Sequence, residues 1–213
     1  MQWTSRVLAA VLLAAATALP AAASISAPPG DADIRTTLTS EAREFADTVL
    51  RSRDNRGRPF VIVDKRQAQM YVFNAAGRLK GATPVLLGEA VGDQTAPNVG
   101  EYAQQGFVPP QMRTTPAGRF VSEPGINHTG EHVIWVDYDS AFAIHRLRPG
   151  SAHRARAERM KSPNVSGRRV SAGCVVVPVD FYENVVQRWL GEGRSIVYVL
   201  PETASLRQVF NAL

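Results

Sequence analysis

The spacing of apolar side chains divides the chain into stretches of different character. Residues 7–19 form an almost unbroken apolar run after Arg6, ended by Pro20 and followed by Ala21, Ala22 and Ala23. A positive start, a short apolar run and then small residues predict a secretory signal peptide over residues 1–23, cleaved after Ala23. The competing reading is a membrane anchor, but the run has 13 residues where a spanning helix needs roughly 20. Residues 24–58 then combine a leader containing Pro28, Pro29 and Gly30 with a helix. Ala42, Phe45, Ala46, Val49 and Leu50 recur at helical spacing, Ser40 stands at the N-cap, and Arg51 and Arg53 suit the C-terminal end.

From Pro59 the period falls to two or gives way to short apolar runs. This pattern predicts strands at 60–63, 70–73, 83–87, 118–121, 132–138, 141–147, 170–177 and 195–200. One further helix is expected over 179–190, started by Pro178. Two long polar stretches separate these elements: 88–113, rich in Gly, Pro and Gln, and 146–169, which carries Arg154, Arg156, Arg159, Lys161, Arg168 and Arg169. Long ordered loops in compact domains tend to serve function, and the basic stretch suits either a lid, a patch for an anionic polymer or a solvated loop. The expected fold class is mainly β with flanking helices over residues 59–201, with 202–213 as a tail or short helix.

Composition narrows the classes. At 213 residues with 45% hydrophobic and 20% charged side chains, the chain suits one globular domain with short appendages and excludes disorder throughout. The formal charge of +5 favours acidic partners loosely, but no Lys/Arg block is interleaved with aromatics, which argues against nucleic acid. No later run is long and apolar enough to span a bilayer, so no stable membrane insertion is expected once the signal is removed. The protein is expected to be exported, periplasmic or extracellular; its oligomeric state is not legible. An exported chain whose single cysteine is Cys174 cannot form an intramolecular disulfide. The thiol is then either an inert buried hydrophobe or a reactive group.

Chemistry converges on two segments. Cys174 sits in Ser171-Ala172-Gly173-Cys174, where a glycine lets the backbone approach closely just before the thiol, and Ala143-Ile144-His145-Arg146 ends an apolar strand 29 positions earlier. A thiol acts as an acyl-transfer nucleophile only as thiolate, and a histidine within hydrogen-bond reach both takes its proton and steadies the charge. With Thr115-Pro116-Ala117-Gly118, the strand-turn-strand over 60–73, and Pro178 leading into a helix, these segments resemble the L,D-transpeptidases with the YkuD-type catalytic domain. Ala172 stands where that family most often has His, and Val176 where it usually has Arg or Asn.

The resemblance implies a YkuD-like β-sandwich catalytic domain and a cysteine acyltransferase, with no cofactor and no metal, acting on peptidoglycan stem peptides. Cys174 would be the nucleophile and His145 its general base. Ser171 and Gly173 would support the motif and the oxyanion, and Arg146 and His132 are candidates for the substrate cleft. The thiol would attack the bond between the third, diamino residue and the D-alanine that follows. An amine from a second stem would then resolve the thioester into a cross-link. Water as acceptor would make a carboxypeptidase or endopeptidase instead. Two other readings stand beside these: a catalytically impaired peptidoglycan-binding module of the same fold, and a zinc peptidase suggested by His128-Thr129-Gly130-Glu131-His132. Gly130 inside that motif and the β-type run after it predict a hairpin turn rather than the helix that zinc would need.

Overall fold

The structure is a computed structural model and describes residues 38–211 and 213; the expected signal peptide and the leader up to residue 37 lie outside them. The first helix, α1 (Ser40–Ser52), is capped by Thr39 rather than Ser40. Thr39 Oγ1 accepts from the Ala42 N–H at 3.1 Å and donates to Asp64 Oδ2 at 2.9 Å. That second, tertiary bond decides between two neighbouring hydroxyls that local propensity treats alike.

Ten strands follow: β1 (Phe60–Asp64), β2 (Gln69–Phe73), β3 (Leu79–Pro84), β4 (Leu87–Gly88), β5 (Gly118–Ile126), β6 (His132–Asp137), β7 (Phe142–Arg146), β8 (Arg169–Ser171), β9 (Val175–Val177) and β10 (Ser195–Leu200). Eight of them form one sheet in the order β3-β2-β1-β10-β5-β6-β7-β9, while β4 and β8 pair separately. The fold is mainly β with flanking helices, as the pattern predicts. Strand β5 belongs to both halves of the large sheet: Gly118 to Ser122 pair with β10, and Glu123 to Ile126 pair with β6. The sheet thereby folds over itself into a sandwich.

Alternation along the strands explains what fills it. Val61, Val63, Met70, Val72, Val197 and Val199 from one half meet Ile134, Val136, Ile144, Val175 and Val177 from the other in one buried cluster. On the outer face of the first half, Phe60, Ile62, Tyr71 and Tyr198 pack under Ala42, Phe45 and Val49 of α1. The N-terminal helix is thus a third layer that buries its apolar stripe.

Several boundaries differ from expectation for identifiable reasons. The apolar run 170–177 is two strands, β8 and β9, because Gly173 adopts φ +129 and breaks the ladder. The strand expected at 83–87 lies mostly earlier, as β3, since Gly77 at φ +75 closes the hairpin with β2. The expected loop 88–113 contains a short helix, α2 (Val99–Gln104), and a 3-10 turn, Pro110–Met112. The basic stretch contains α3 (His153–Lys161), which is polar nearly all round and rests on Leu86, Leu147 and Val176 through Ala157 and Met160. The helix after Pro178 forms as α4 (Val179–Phe181), a π-type stretch (Tyr182–Val186) and α5 (Gln187–Leu190), and α6 (Leu206–Val209) ends the order. Among the described residues no helix is long and apolar enough to cross a membrane.

Beneath the loops lies a buried ion network. The Lys65 side chain is 0% exposed, and its ammonium donates to Gly92 O at 2.6 Å, Asp93 Oδ1 at 2.7 Å and Thr115 O at 2.8 Å. Asp93 also accepts from the backbone N–H groups of Glu202, Thr203 and Ala204. Burial opposes its charge, but Lys65, Thr203 and these N–H donors outweigh it and hold the carboxyl well below the usual carboxylate range. Breaking a buried pair from one side leaves the other charge uncompensated. Lys65→Met is therefore expected to lower the unfolding free energy by about 3–5 kcal/mol in urea titrations, and a loss below about 1 kcal/mol would contradict this account.

Candidate active site

Strands β7 and β9 lie side by side and parallel, with Ile144 opposite Val175, His145 opposite Val176 and Arg146 opposite Val177. Cys174 immediately precedes β9, so the ladder carries it to the flank of β7 just N-terminal of His145. The inward residues Ile144, Val175 and Val177 belong to the sandwich core. By alternation, His145 and Cys174 share the opposite face.

Three contacts shape the turn that presents the thiol. The Gly173 N–H donates to Ser171 Oγ at 3.1 Å, and the Ser171 hydroxyl donates to Cys174 O at 2.6 Å. Buried Thr115 donates its hydroxyl to Gly173 O at 2.7 Å while accepting from the Gly88 N–H at 2.8 Å. A Cβ at position 173 would stand 3.0 Å from Thr114 O, on a backbone with φ +129. Glycine is thus required twice over, by conformation and by space. The Gly173 N–H is thus engaged by Ser171 in the resting turn.

The thiol and the imidazole are both half-buried, and no hydrogen bond joins them among the described residues. Cys174 Sγ donates to Ala141 O at 3.4 Å, and Ala141 holds a left-handed φ of 55. His145 Nδ1 lies 2.8 Å from Arg146 O. A carbonyl only accepts, so Nδ1 carries the proton and the lone pair is at Nε2. Burial pushes the Cys174 thiol up, offset in part by the Ala143 backbone and the charge of Arg148. Burial, then the like charge of Arg148, push His145 down to about 4. At neutral pH the resting pair is therefore a neutral thiol beside a neutral imidazole, the state in which histidine can act as base.

The other candidate residues divide. Arg146 pairs with Glu183 at 2.9 Å and reaches Glu131 at 3.8 Å. His132 is tied by Nδ1 to Tyr182 Oη at 2.9 Å, and Tyr182 donates back to His132 O at 3.1 Å. Both side chains brace the junction of β6, β7 and the π-type stretch, and among the described residues neither makes a hydrogen bond with the thiol. The His128–His132 segment is a hairpin turn: Asn127 Oδ1 accepts from the N–H groups of Thr129 and Glu131. Among the described residues no cluster of His, Cys, Asp or Glu has the makings of a metal site. Phe142 joins the core, whereas Tyr138 is exposed and packs edge-on against Trp135 at 5.0 Å.

A crevice lined by Thr114, Pro116, Ala141, Ala172 and Gly173 adjoins the turn and holds about 20 Å³, the space of roughly one water. A cavity of about 480 Å³ lies elsewhere, between Thr39, Gln67, Tyr71, Pro163 and Arg168. Residues that sequence reasoning missed are Thr115, which fixes the turn, Lys65, which fixes Thr115, and Arg148, whose charge both site groups feel. Thr115 stood in a motif without a role; nothing in the pattern singles out the other two.

No protein-family model matches the chain, and no curated protein does. Solved structures similar to it include the helical cell shape determining protein of Campylobacter jejuni, at 11% identity over 70% of this chain and 49% of that one, TM-score 0.43. An L,D-transpeptidase from Mycobacterium smegmatis is 17% identical over 67% of this chain and 58% of its own, TM-score 0.37. The catalytic domain of the E. faecium L,D-transpeptidase is 18% identical over 68% of this chain and 98% of its own, TM-score 0.34. The matched part thus spans about half of the first two proteins. These are likenesses to other proteins, and the chemistry of this one is argued from its own geometry.

Two outcomes follow from the site. Gly173→Ala is expected to keep the fold but slow thiol alkylation at least about tenfold, since a side chain in that conformation costs about 1–3 kcal/mol and displaces the turn. Unchanged alkylation would mean that the turn does not govern the thiol. For His145, the folded pKa of about 4 lies below the ordinary 6.5, so the unfolded chain takes up the proton first as pH falls. Its contribution to stability is complete above pH 6.5 and is lost on the way down to about 4. His145→Gln should flatten that part of the melting-temperature profile, and an unaltered slope would assign it to other groups.

Proposed function

We propose that the chain is an exported cysteine acyltransferase acting on peptidoglycan stem peptides in the periplasm or outside the cell. It cleaves the bond between the diamino residue and D-alanine and passes the acyl group to an amine. The observation that carries this reading is the parallel β7/β9 pair, which sets His145 and Cys174 on one face with the thiol at a glycine-dependent turn. The resemblance of Ser171-Ala172-Gly173-Cys174 and Ala143-Ile144-His145 to the L,D-transpeptidases supports it. In the first step a χ1 rotation takes the thiol off Ala141 O, and His145 Nε2 accepts its proton. The thiolate adds to the carbonyl carbon of the diamino residue, the resulting imidazolium protonates the departing amine of D-alanine, and a thioester remains on Cys174. An acceptor amine, deprotonated by the same imidazole, then displaces the thiol; water in its place gives the carboxypeptidase outcome.

A second reading is an impaired wall-binding module of the same fold. The resting bond from the thiol to Ala141 O, and Ala172 and Val176 in the motif, favour it. One experiment separates the two: intact mass after mixing the protein with a carbapenem. A covalent adduct is expected on the unaltered protein and none on Cys174→Ala, with His145→Gln reacting about 10²–10⁴ times more slowly at neutral pH. No adduct on a folded protein would favour the binding module.

A further inference from the structure

The outer face of the second half of the sheet carries an aromatic pair that neither the core clusters nor the acyl-transfer chemistry uses. Ile134 and Val136 point into the sandwich, so Trp135 between them points away from it, onto the face shared by His145 and Cys174. Its ladder partners are Glu123 on β5 and Ala143 on β7. Continuing the β7/β9 register by one residue sets Cys174 beside Ala143, in keeping with the bond from Sγ to Ala141 O. Trp135 therefore lies two strands from the thiol, about 10 Å between backbones at the ordinary strand spacing.

Gly125 and Tyr138 determine how the indole is presented. A Cβ at Gly125, inside β5, would stand 2.8 Å from Trp135 Cδ1 and 3.0 Å from Nε1. Glycine weakens a strand interior and marks a place where another group must approach closely; here it lets the indole lie against the sheet. Tyr138, in the turn after β6, packs edge-on against the indole with ring centroids 5.0 Å apart and planes at 67°, and it is 73% exposed. Among the described residues neither Trp135 Nε1 nor the Tyr138 hydroxyl has a hydrogen-bond partner. Two rings at an angle, one laid on the sheet and one standing in solvent, thus each keep a polar edge for something else.

Aromatic faces are electron-rich, and the C–H groups on one face of a pyranose ring are their complement, while sugar hydroxyls and amides suit the open N–H and O–H. The choice of ligand rests on the acyltransfer reading, in which three stem residues join the scissile carbonyl to the amino-sugar strand. Three extended residues span about 10 Å, so a sugar bearing a stem reaches the pair when the third carbonyl is at Cys174. We propose that Trp135 and Tyr138 form a sugar-binding subsite that holds the N-acetylated hexosamine carrying the stem. The protein then selects stems still attached to their glycan over free stem peptides.

The test begins with the tetramer of β-1,4-linked N-acetylglucosamine, which has no scissile peptide, titrated into the protein and followed by intrinsic tryptophan emission. A saturable change is expected, with affinity at least about tenfold weaker in Tyr138→Ser and largely kept in Tyr138→Phe. The same variants are then compared by kcat/KM for release of D-alanine from a glycan-linked tetrapeptide and from the same tetrapeptide free. The unaltered protein should favour the glycan-linked stem by about tenfold, and in Tyr138→Ser the ratio should fall to about one. Absence of saturable binding, or binding undiminished in Tyr138→Ser, would overturn the subsite whatever the protein does to peptides. A ratio near one in the unaltered protein would overturn the selection of glycan-linked stems. Saturable binding that depends on Tyr138, with release from neither stem, would uphold the subsite and sink the acyltransferase reading.

Discussion

An ammonium sealed from water must have every proton accounted for, and that requirement organises the functional end of this molecule. Lys65 has three N–H bonds to give, and Gly92, Asp93 and Thr115 take them. These acceptors come from two places in the long 88–117 connection, and Asp93 in turn collects the backbone after β10. Three segments distant in sequence therefore have no freedom to separate without stranding a charge. Thr115 carries the constraint onward, because its carbonyl answers to Lys65 and its hydroxyl to Gly173. The turn bearing the thiol is thus supported by a chain of hydrogen bonds that begins at Lys65, just past the end of β1.

The electrostatics of the site follow from the same lack of water. Burial raises the thiol and lowers the imidazole, so each is neutral when idle. A neutral thiol resists oxidation, which proceeds through the thiolate. Arg148 works in one direction on both groups, easing proton loss from the sulfur and opposing proton gain by the ring. At rest the two groups are consequently both uncharged rather than a standing ion pair.

How far this was legible in sequence can be judged residue by residue. Alternation gave β10 at its true bounds and placed β1 and β2 within a residue, because half-buried strands write their period directly. Cys174 and His145 were found by type and context, and the ladder supplies their adjacency. The unbroken apolar run 170–177 concealed two strands, since hydrophobicity does not record the φ of Gly173. Helix α3 was invisible because, among the described residues, Ala157 and Met160 are its only side chains in the apolar cluster beneath it, too few to set a period. Lys65 sits in a polar triplet that looks like any hairpin turn; its burial is decided by carbonyls up to 50 positions away, beyond what local pattern encodes.

The pairing of β1 with β10 has a consequence for how the fold is reached. Phe60 lies beside Ile196 and Asp64 beside Leu200, so the middle of the sheet is closed by residues more than 130 positions apart. Until residues 195–200 are in place, β1 and the first half of β5 both present open hydrogen-bonding edges. Loop-closure entropy must be met before that contact stabilises anything, which makes assembly slow compared with folds built from local contacts. Through that interval the apolar faces of β1 and β2 are available to other chains as well as to their own. The topology that seals the core thus also sets the stage at which this protein is most exposed to aggregation.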